Sequence, residues 1–247
     1  PLYWLSVINW NVIMMIGGTM VIVYYFIESK MPNRLAEIIL EKCPTVMWVI
    51  ILMSLFAGAV SAFIDNVATV LMIAPVGLAI CKKLKITPVS MLLAIAVSSN
   101  LQGAATLVGD TTSIMLGAYA NMNFMQFFFM HGKPGIFFAV ELGALLTVPV
   151  MLFLFHDLNQ PVEAEEKTRV EGIFPTIALC GVVVCLIIAS FIPNTPSTIN
   201  GIICCVIALL CMAVDFKMKK MPENIRKAIL SIDFETLCIL TGLFLVI

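Results

Sequence analysis

Two apolar runs in this chain, Thr45–Cys81 and Val89–Ala120, are each too long for a single membrane crossing. A helix needs about 20 apolar residues to traverse a hydrocarbon core of about 30 Å. The first run is also short for two crossings, and Ala62-Phe63-Ile64-Asp65-Asn66 interrupts it. The second carries Ser98-Ser99-Asn100 and Gly109-Asp110-Thr111-Thr112-Ser113 at its middle. Around these two lie segments of ordinary span length: Asn11–Ile27, Gly135–Phe155, Ile173–Ile192, Thr198–Val214 and a further start at Thr236. Composition agrees, with 61% apolar and 12% charged residues and a mean hydropathy of +1.07. Soluble domains run at about 45–50% apolar and about 25% charged. A soluble globular protein and a disordered chain are excluded. With 14 Lys and Arg against 15 Asp and Glu, no basic excess exists to meet the phosphates of a nucleic acid. The chain reads as an all-α polytopic membrane protein whose first partner is the lipid bilayer.

Basic residues decide the parity of the crossings. If Thr45–Cys81 enters and leaves by one face, and Val89–Ala120 crosses once, the loops 28–44, 82–88, 156–172 and 215–230 share a side. Those loops hold every Lys and Arg of the chain except Lys133. The excess of Lys and Arg in cytoplasmic loops then makes that side cytoplasmic, and the expected location is the plasma (inner) membrane. Parity leaves open whether Thr45–Cys81 is a re-entrant hairpin or two full crossings. Within loop 28–44, Leu35, Ile38 and Ile39 alternate with Arg34, Glu37 and Glu41, which predicts a short amphipathic helix over Met31–Cys43 on the membrane surface. The eight cysteines lie mostly inside apolar runs without metal-binding spacing, so they read as small hydrophobes rather than as ligands or a disulfide framework. No signal peptide is visible. The chain starts at Pro1 and stops at Ile247 within an apolar run, and the expectation is a fragment.

Ile8-Asn9-Trp10-Asn11-Val12-Ile13 is echoed by Ile232-Asp233-Phe234-Glu235-Thr236-Leu237, and Gly18 by Gly242. Each copy opens an apolar span with a polar-aromatic-polar cap. By the parity above, one copy starts outside and the other inside, which predicts an inverted repeat. Inverted repeats with interrupted helices are a mark of secondary transporters.

Charged groups at membrane depth are costly and usually functional. Asp65, Asp110 and Glu141 qualify. Asp65 sits with Asn66 at the first interruption, flanked by Ser61 and Thr69, and Asp110 follows Gly109 and precedes three hydroxyl residues. Unwound backbone is tolerated in a membrane only where it is buried or lines a cavity, and Gly103 and Gly109 permit the chain to leave helical geometry. Freed amides, carbonyls and half-helix termini then form a place for an ion or a small polar solute. The alternative for Asp65 is a plain turn at the opposite surface. Glu141 reads either as a site residue or as an interfacial one, and His131 and His156, which flank one span, as interfacial.

At these residues the chain resembles a known group. The stretch from Ser61 through Asp65-Asn66 to Leu71, followed by Ile73-Ala74-Pro75-Val76, is similar to the first signature of the arsenite permease and sodium–proton antiporter group. That group includes the melanosomal pink-eye protein and belongs to the ion transporter superfamily, alongside citrate and dicarboxylate carriers. The stretch from Ser99-Asn100 through Gly103 and Thr106 to Gly109-Asp110 resembles the second signature. The resemblance implies two inverted repeats, each with a re-entrant hairpin and a broken helix, a homodimer, and elevator-like movement of a transport domain. It implies a first transport repeat over 1–155 with the hairpin at about 45–81 and the broken helix at about 89–120. Linking spans and loops then occupy 156–230, and a second repeat starts within 231–247. It places Asp65 and Asn66 at the hairpin tip, with Asn100, Gly103, Thr106, Gly109 and Asp110 along the unwound helix, as half of a binding site; the neighbouring hydroxyl residues Thr69, Thr111 and Ser113 join them as candidate ligands. Two departures stand out: Gln102 where the group carries Gly, and Thr111-Thr112-Ser113 where it carries Pro-Pro-Asn. The expected effect is a pocket of altered size and altered hydrogen-bond donors.

The leading function is secondary active transport of a small ion or solute coupled to protons or sodium, of the sodium–proton antiporter or arsenite permease kind. Asp65 or Asp110 is the expected titrating or cation-coordinating carboxylate, with Asn66, Asn100 and Thr106 as neutral ligands; a sodium ion is expected at Asp65, Asn66 and Asp110. No other cofactor is expected. Symport of citrate or another anion is the alternative. A dicarboxylate ranks low, because an ionised Asp65 repels a bound dianion at low dielectric. An intramembrane aspartyl protease using Asp65 and Asp110 is a remote alternative, since Leu107 stands where its Gly-x-Gly-Asp pattern needs the first Gly. A purely structural subunit would have little use for two broken apolar runs with buried acids. The chain is therefore expected not to be an enzyme.

Overall fold

In lipid, backbone N–H and C=O groups must be satisfied within the chain, so apolar runs become helices. The computed structural model describes residues 8–161, 170, 172–192, 196, 198–219 and 222–246 and contains eleven α-helices among them. Lys167, Arg169 and Lys220, which entered the charge parity, lie outside the described residues, as do both chain ends. Four helices are long and apolar enough to cross a membrane: α1 (Trp10–Glu28), α7 (Ile136–Leu154), α8 (Phe174–Phe191) and α9 (Ile199–Lys219). The others are α2 (Met31–Lys42), α3 (Val46–Ser61), α4 (Asn66–Leu84), α5 (Val89–Gly103), α6 (Thr111–Tyr119), α10 (Pro222–Leu230) and α11 (Phe234–Val246). The chain divides into two compact units.

One unit is drawn from 1–28, 114–124 and 172–247. Its centre is the pair α1 and α9, which run parallel because Asn11 pairs with Gly201 near the start of both helices and Gly18 meets Cys204 further along. Asn11 Oδ1 accepts from Gly201 N at 2.8 Å, taking a first-turn amide that has no partner within α9. A Cβ on Gly18 would stand 2.7 Å from the Cys204 backbone, and one on Gly201 2.8 Å from Asn11 O. Small residues thus let the two backbones approach, as in other membrane helix pairs. The parallel course is the one the charge parity requires of these two spans. Both copies of the sequence echo are N-caps: Asn9 Oδ1 accepts from Val12 N at 3.3 Å, and Asp233 Oδ1 from Thr236 N at 3.0 Å. Loop 215–230 is not a plain loop. α9 continues through it to Lys219, and α10 follows, closed by an i,i+4 pair between Glu223 and Lys227 at 3.1 Å.

The second unit covers 29–113 and 125–171. α2 is the expected amphipathic helix, with Pro32 in its first turn and Arg34 bridging Glu37 at 3.3 Å and Glu41 at 3.4 Å. It packs against both α3 and α4. α3 has 16 residues and α5 has 15, which at 1.5 Å per residue rise about 24 and about 22 Å, short of the hydrocarbon thickness. The first turn of α3 has no side-chain cap; its amides at Val46 and Met47 are taken by the carbonyls of Gln160 (3.1 Å) and Leu158 (2.9 Å). α4 and α5 are antiparallel: Asn66 meets Asn100 at one end, and a Cβ on Gly77 would stand 3.1 Å from Met91 Cγ at the other. A small hairpin, β1 (Phe129–Met130) and β2 (Lys133–Pro134), precedes α7. Its turn is His131 and Gly132, both with positive φ, the backbone pattern that two-residue hairpins favour. His156 lies just beyond the other end of α7 and is exposed, so the two histidines flank this helix as the sequence indicates.

Candidate functional site

Asp65 starts α4. Its Oδ2 accepts from the amides of Val67 and Ala68, each at 3.1 Å, the usual work of an N-cap. The four-residue turn Ala62–Asp65 separates it from α3, so Asp65 and Asn66 form the tip of a helical hairpin. Asn66 Nδ2 donates to Asn100 Oδ1 at 2.8 Å, and Ser99 Oγ donates to Asn66 O at 3.1 Å. Asn100 in turn donates to Ala96 O at 2.9 Å. The tip is therefore tied to the last turns of α5 by a short chain of amides and hydroxyls.

α5 ends at Gly103 and α6 begins at Thr111, with residues 104–110 out of helical geometry. Thr106 Oγ1 donates to Ala62 O, which fastens this unwound segment to the hairpin turn, and the same oxygen accepts from Val108 N at 3.3 Å. Gly109 closes the arrangement. A Cβ there would stand 2.5 Å from Gly103 O, 2.6 Å from Ser61 O and 2.7 Å from Ala62 O. Three backbone carbonyls thus converge where only glycine leaves room. Ser61 Oγ and Thr69 Oγ1 are fully buried and have no hydrogen-bond partner among the described residues. Buried hydroxyls normally have one.

Asp110 repeats the role of Asp65. Its Oδ1 accepts from Thr111 Oγ1 at 3.3 Å and Thr112 N at 3.5 Å, and its Oδ2 from Thr112 Oγ1 at 2.8 Å, so it caps α6. Ser113 is buried in the first turn of that helix. Of the ten residues singled out in the sequence, Asp65 and Asn66 form the hairpin tip with Thr69 in the first turn of α4, Asn100 and Gly103 lie in the last turn of α5, Thr106, Gly109 and Asp110 in the unwound segment, and Thr111 and Ser113 in the first turn of α6. Direct bonds join Asn66 to Asn100 and bring Thr106 to the hairpin turn, and Gly103 and Gly109 lie against one another. Glu141 stands in the second turn of α7, half-buried, with no hydrogen bond or ion pair among the described residues.

The side chain of Gln102 is 4% exposed and lies against α3, where a Cβ on Gly58 would stand 2.6 Å from Gln102 Cδ. The absent side chain of Gly58 makes the room that Gln102 fills. Sequence reasoning also missed the carbonyls of Ser61 and Ala62 and the Ser99 hydroxyl as participants. Ser61 was within reach, four residues before Asp65 and so on the inner side of the turn; backbone carbonyls leave no mark in a sequence. Among the described residues no three His, Cys, Asp or Glu side chains gather as metal ligands. A cation at the tip would be held by carbonyl and hydroxyl oxygens, which suit hard cations.

A helical hairpin and a broken helix thus meet in a chain with several helices long and apolar enough to cross a membrane. The chain belongs to the CitMHS family, described as citrate transporter, whose profile matches residues 2–247. It is 29% identical to an uncharacterized transporter of Mycobacterium tuberculosis over 97% of this chain and 55% of that protein. It is also 29% identical to a 46 kDa membrane protein of Mycobacterium leprae over 97% of this chain and 56% of the relative. The P protein of Homo sapiens is 28% identical over 60% of this chain and 18% of its own length. The chain thus spans about half the length of the mycobacterial relatives it matches.

Proposed function

We propose that the protein carries out secondary active transport driven by sodium or protons, and that the hairpin tip and unwound segment are one half of its binding site. The observation that carries this is the joining of a helical hairpin tip to an unwound helix segment through Asn66, Asn100 and Thr106, next to the buried Ser61 and Thr69 hydroxyls. Amide, hydroxyl and carbonyl oxygens of this kind suit a dehydrated sodium ion. In this reading Asn66, Asn100, Thr106 and Thr69 line the site, Gly103 and Gly109 allow the backbone to close on it, and Asp65 and Asp110 supply negative charge next to it. Thr111 and Ser113 hold the start of the second half-helix. The cargo is a small cation or a neutral solute such as arsenite as its hydroxide. Both half-helix N-termini, where an anion would find free amides, are already taken by the chain's own carboxylates.

Symport of citrate is the second reading, favoured by the description of the family. We further propose a homodimer in the plasma membrane with loops 28–44, 82–88, 156–172 and 215–230 on the cytoplasmic side, and an inverted repeat whose second copy starts near Asp233. The matching N-caps at Asn9 and Asp233 support that repeat. Reconstitution of the intact transporter in liposomes tests the function. Uptake or efflux of sodium, protons, arsenite and citrate is followed under imposed sodium and pH gradients. Sodium- or proton-dependent flux of a cation or arsenite is expected. Sodium-coupled citrate flux alone would favour the second reading, and no flux under either gradient would remove both.

A further inference from the structure

A cavity of about 510 Å³ between α5 and α7 plays no part in the hairpin site. Its walls are one face of α5 from Ser90 to Ser98 and one face of α7 from Gly143 to Leu154, each drawn from positions three and four apart. Leu93 and Val97 on α5 and Leu146, Val150 and Leu154 on α7 are exposed along it, so the cavity opens sideways. Met151, also in its wall, is held from α3 by Ser54 Oγ at 3.2 Å. Among the described residues no charged side chain lines it. Its most buried polar wall residue is Ser98, which is 4% exposed, as is Gln102 one turn further along α5. The two share the gap left by Gly58, where a Cβ would stand 2.7 Å from Ser98 Oγ and 2.8 Å from Gln102 Nε2. Neither side chain has a hydrogen bond among the described residues. Thr147, in the facing wall, donates to Ala144 O at 2.7 Å and keeps its oxygen free to accept.

An apolar cavity of this volume with a few polar groups at one place has the composition of a small-molecule site. Buried hydroxyls and amides without partners are costly, so an occupant that bonds to Ser98 and Gln102 is favoured over plain hydrocarbon. Both groups can donate and accept, and a hydroxyl on the occupant answers both, whereas an ester only accepts. A charged head is disfavoured, because no counter-charge lines the cavity. From Ser90 to Ser98 the wall rises about 12 Å, which sets the length of the apolar body. We propose that the α5–α7 cavity is a binding site for an uncharged, single-chain aliphatic alcohol that enters from the lipid side, its chain along the two helices and its hydroxyl at Ser98 and Gln102. The occupant bridges α7 to the end of α5, whose Ser99 and Asn100 hold the hairpin tip.

The test uses the intact transporter in liposomes, photolabelled with octanol that carries a diazirine on its chain, with adducts located by mass spectrometry. In the wild type, adducts are expected to concentrate on Ser90–Ser98 and Gly143–Leu154, and excess decanol to suppress them where the same amount of decane does not. Ser98→Ala is expected to weaken labelling by about two- to tenfold, the worth of one hydrogen bond, and to narrow the difference between decanol and decane. Ala94→Phe, which fills the cavity from its α5 wall, is expected to abolish it. The competition needs no variant, so a variant that fails to fold leaves the test intact, and no transport is measured, so the result stands apart from the coupling ion and cargo. Three results each overturn the proposal: adducts spread as densely over exposed residues of α8, decane competing as well as decanol in the wild type, or Ser98→Ala labelled and protected like the wild type.

Discussion

At the scale of single residues, the two acids of the site have the same local task, each capping a helix that starts at a break. Asparagine caps nearly as well as aspartate, whereas alanine does not, and losing a cap costs about 0.5–2 kcal/mol. Asp65→Asn and Asp110→Asn are therefore expected to melt close to the wild type, while Asp65→Ala falls by about 1 kcal/mol in a denaturation assay. If either charge is needed at the site, its Asn variant loses sodium or proton dependence of transport without losing stability. Unchanged coupling in both Asn variants would remove the carboxylates from the site and leave them as caps. Cys43 offers a pH test outside the spans. It is buried, its thiol donates to Ile39 O at 3.1 Å, and burial pushes its pKa up. Only the thiolate reacts with maleimide, and a raised pKa depletes it at neutral pH. Labelling of Cys43 is expected to be slower than that of an exposed thiol and to accelerate as pH rises, measured by mass spectrometry of the intact protein. The acids were legible in the sequence because charge at membrane depth is rare. Their role as caps was not, because it depends on where each helix starts to within one residue.

At the scale of elements, the sequence marks the breaks well and the packing between elements poorly. An apolar run of unsuitable length with Asp65-Asn66 inside it has few physical solutions, and the hairpin α3–α4 is the one realised. The packing of Gln102 into the space left by Gly58 joins residues 44 positions apart with no local signal. α10 escaped notice because Pro222–Leu230 is short and charged, and its helix depends on contacts with α1 and α9. Gly109 carries the sharpest prediction for an element. Gly109→Ala would drive a methyl group into three carbonyl oxygens, two of them on the hairpin. The backbone must shift, and overpacking of this kind costs about 1–3 kcal/mol. The variant is expected to melt lower and to lose transport, whereas Gly181→Ala in α8, where a Cβ meets nothing within 4 Å, leaves both intact. A Gly109→Ala protein with wild-type transport would mean that the close approach of the unwound segment to the hairpin turn is not needed for transport. Depth is tested by a cysteine at Val67, whose side chain is exposed at the hairpin tip. For a re-entrant hairpin, small hydrophilic thiol reagents reach it and bulky impermeant ones do not. Rapid labelling by a bulky reagent from outside would mean two full crossings.

At the scale of the whole molecule, α1 and α9 run parallel, the mutual direction that a parity drawn from lysines and arginines alone expects of these two spans. In the proposed reading, the other side of the site is supplied from outside these 247 residues. The hairpin tip and unwound segment supply carbonyls, two amides and a few hydroxyls from one half only, and a dehydrated ion needs about six oxygens. The inverted-repeat reading assigns the missing ligands to a second hairpin and a second broken helix, beyond the α11 that Asp233 caps. It follows that residues 1–247 expressed alone should insert in a membrane, since their apolar helices pack with one another, yet bind sodium weakly and carry no coupled flux. Co-expression with the matching second half of a relative should restore transport if the halves associate. The measurement is sodium- or proton-driven uptake in liposomes holding the 247-residue chain, the two halves together, and the intact transporter. Saturable, gradient-driven flux by the 247-residue chain alone would mean that one hairpin and one broken helix suffice, and the inverted repeat would then have to be abandoned as the basis of the site.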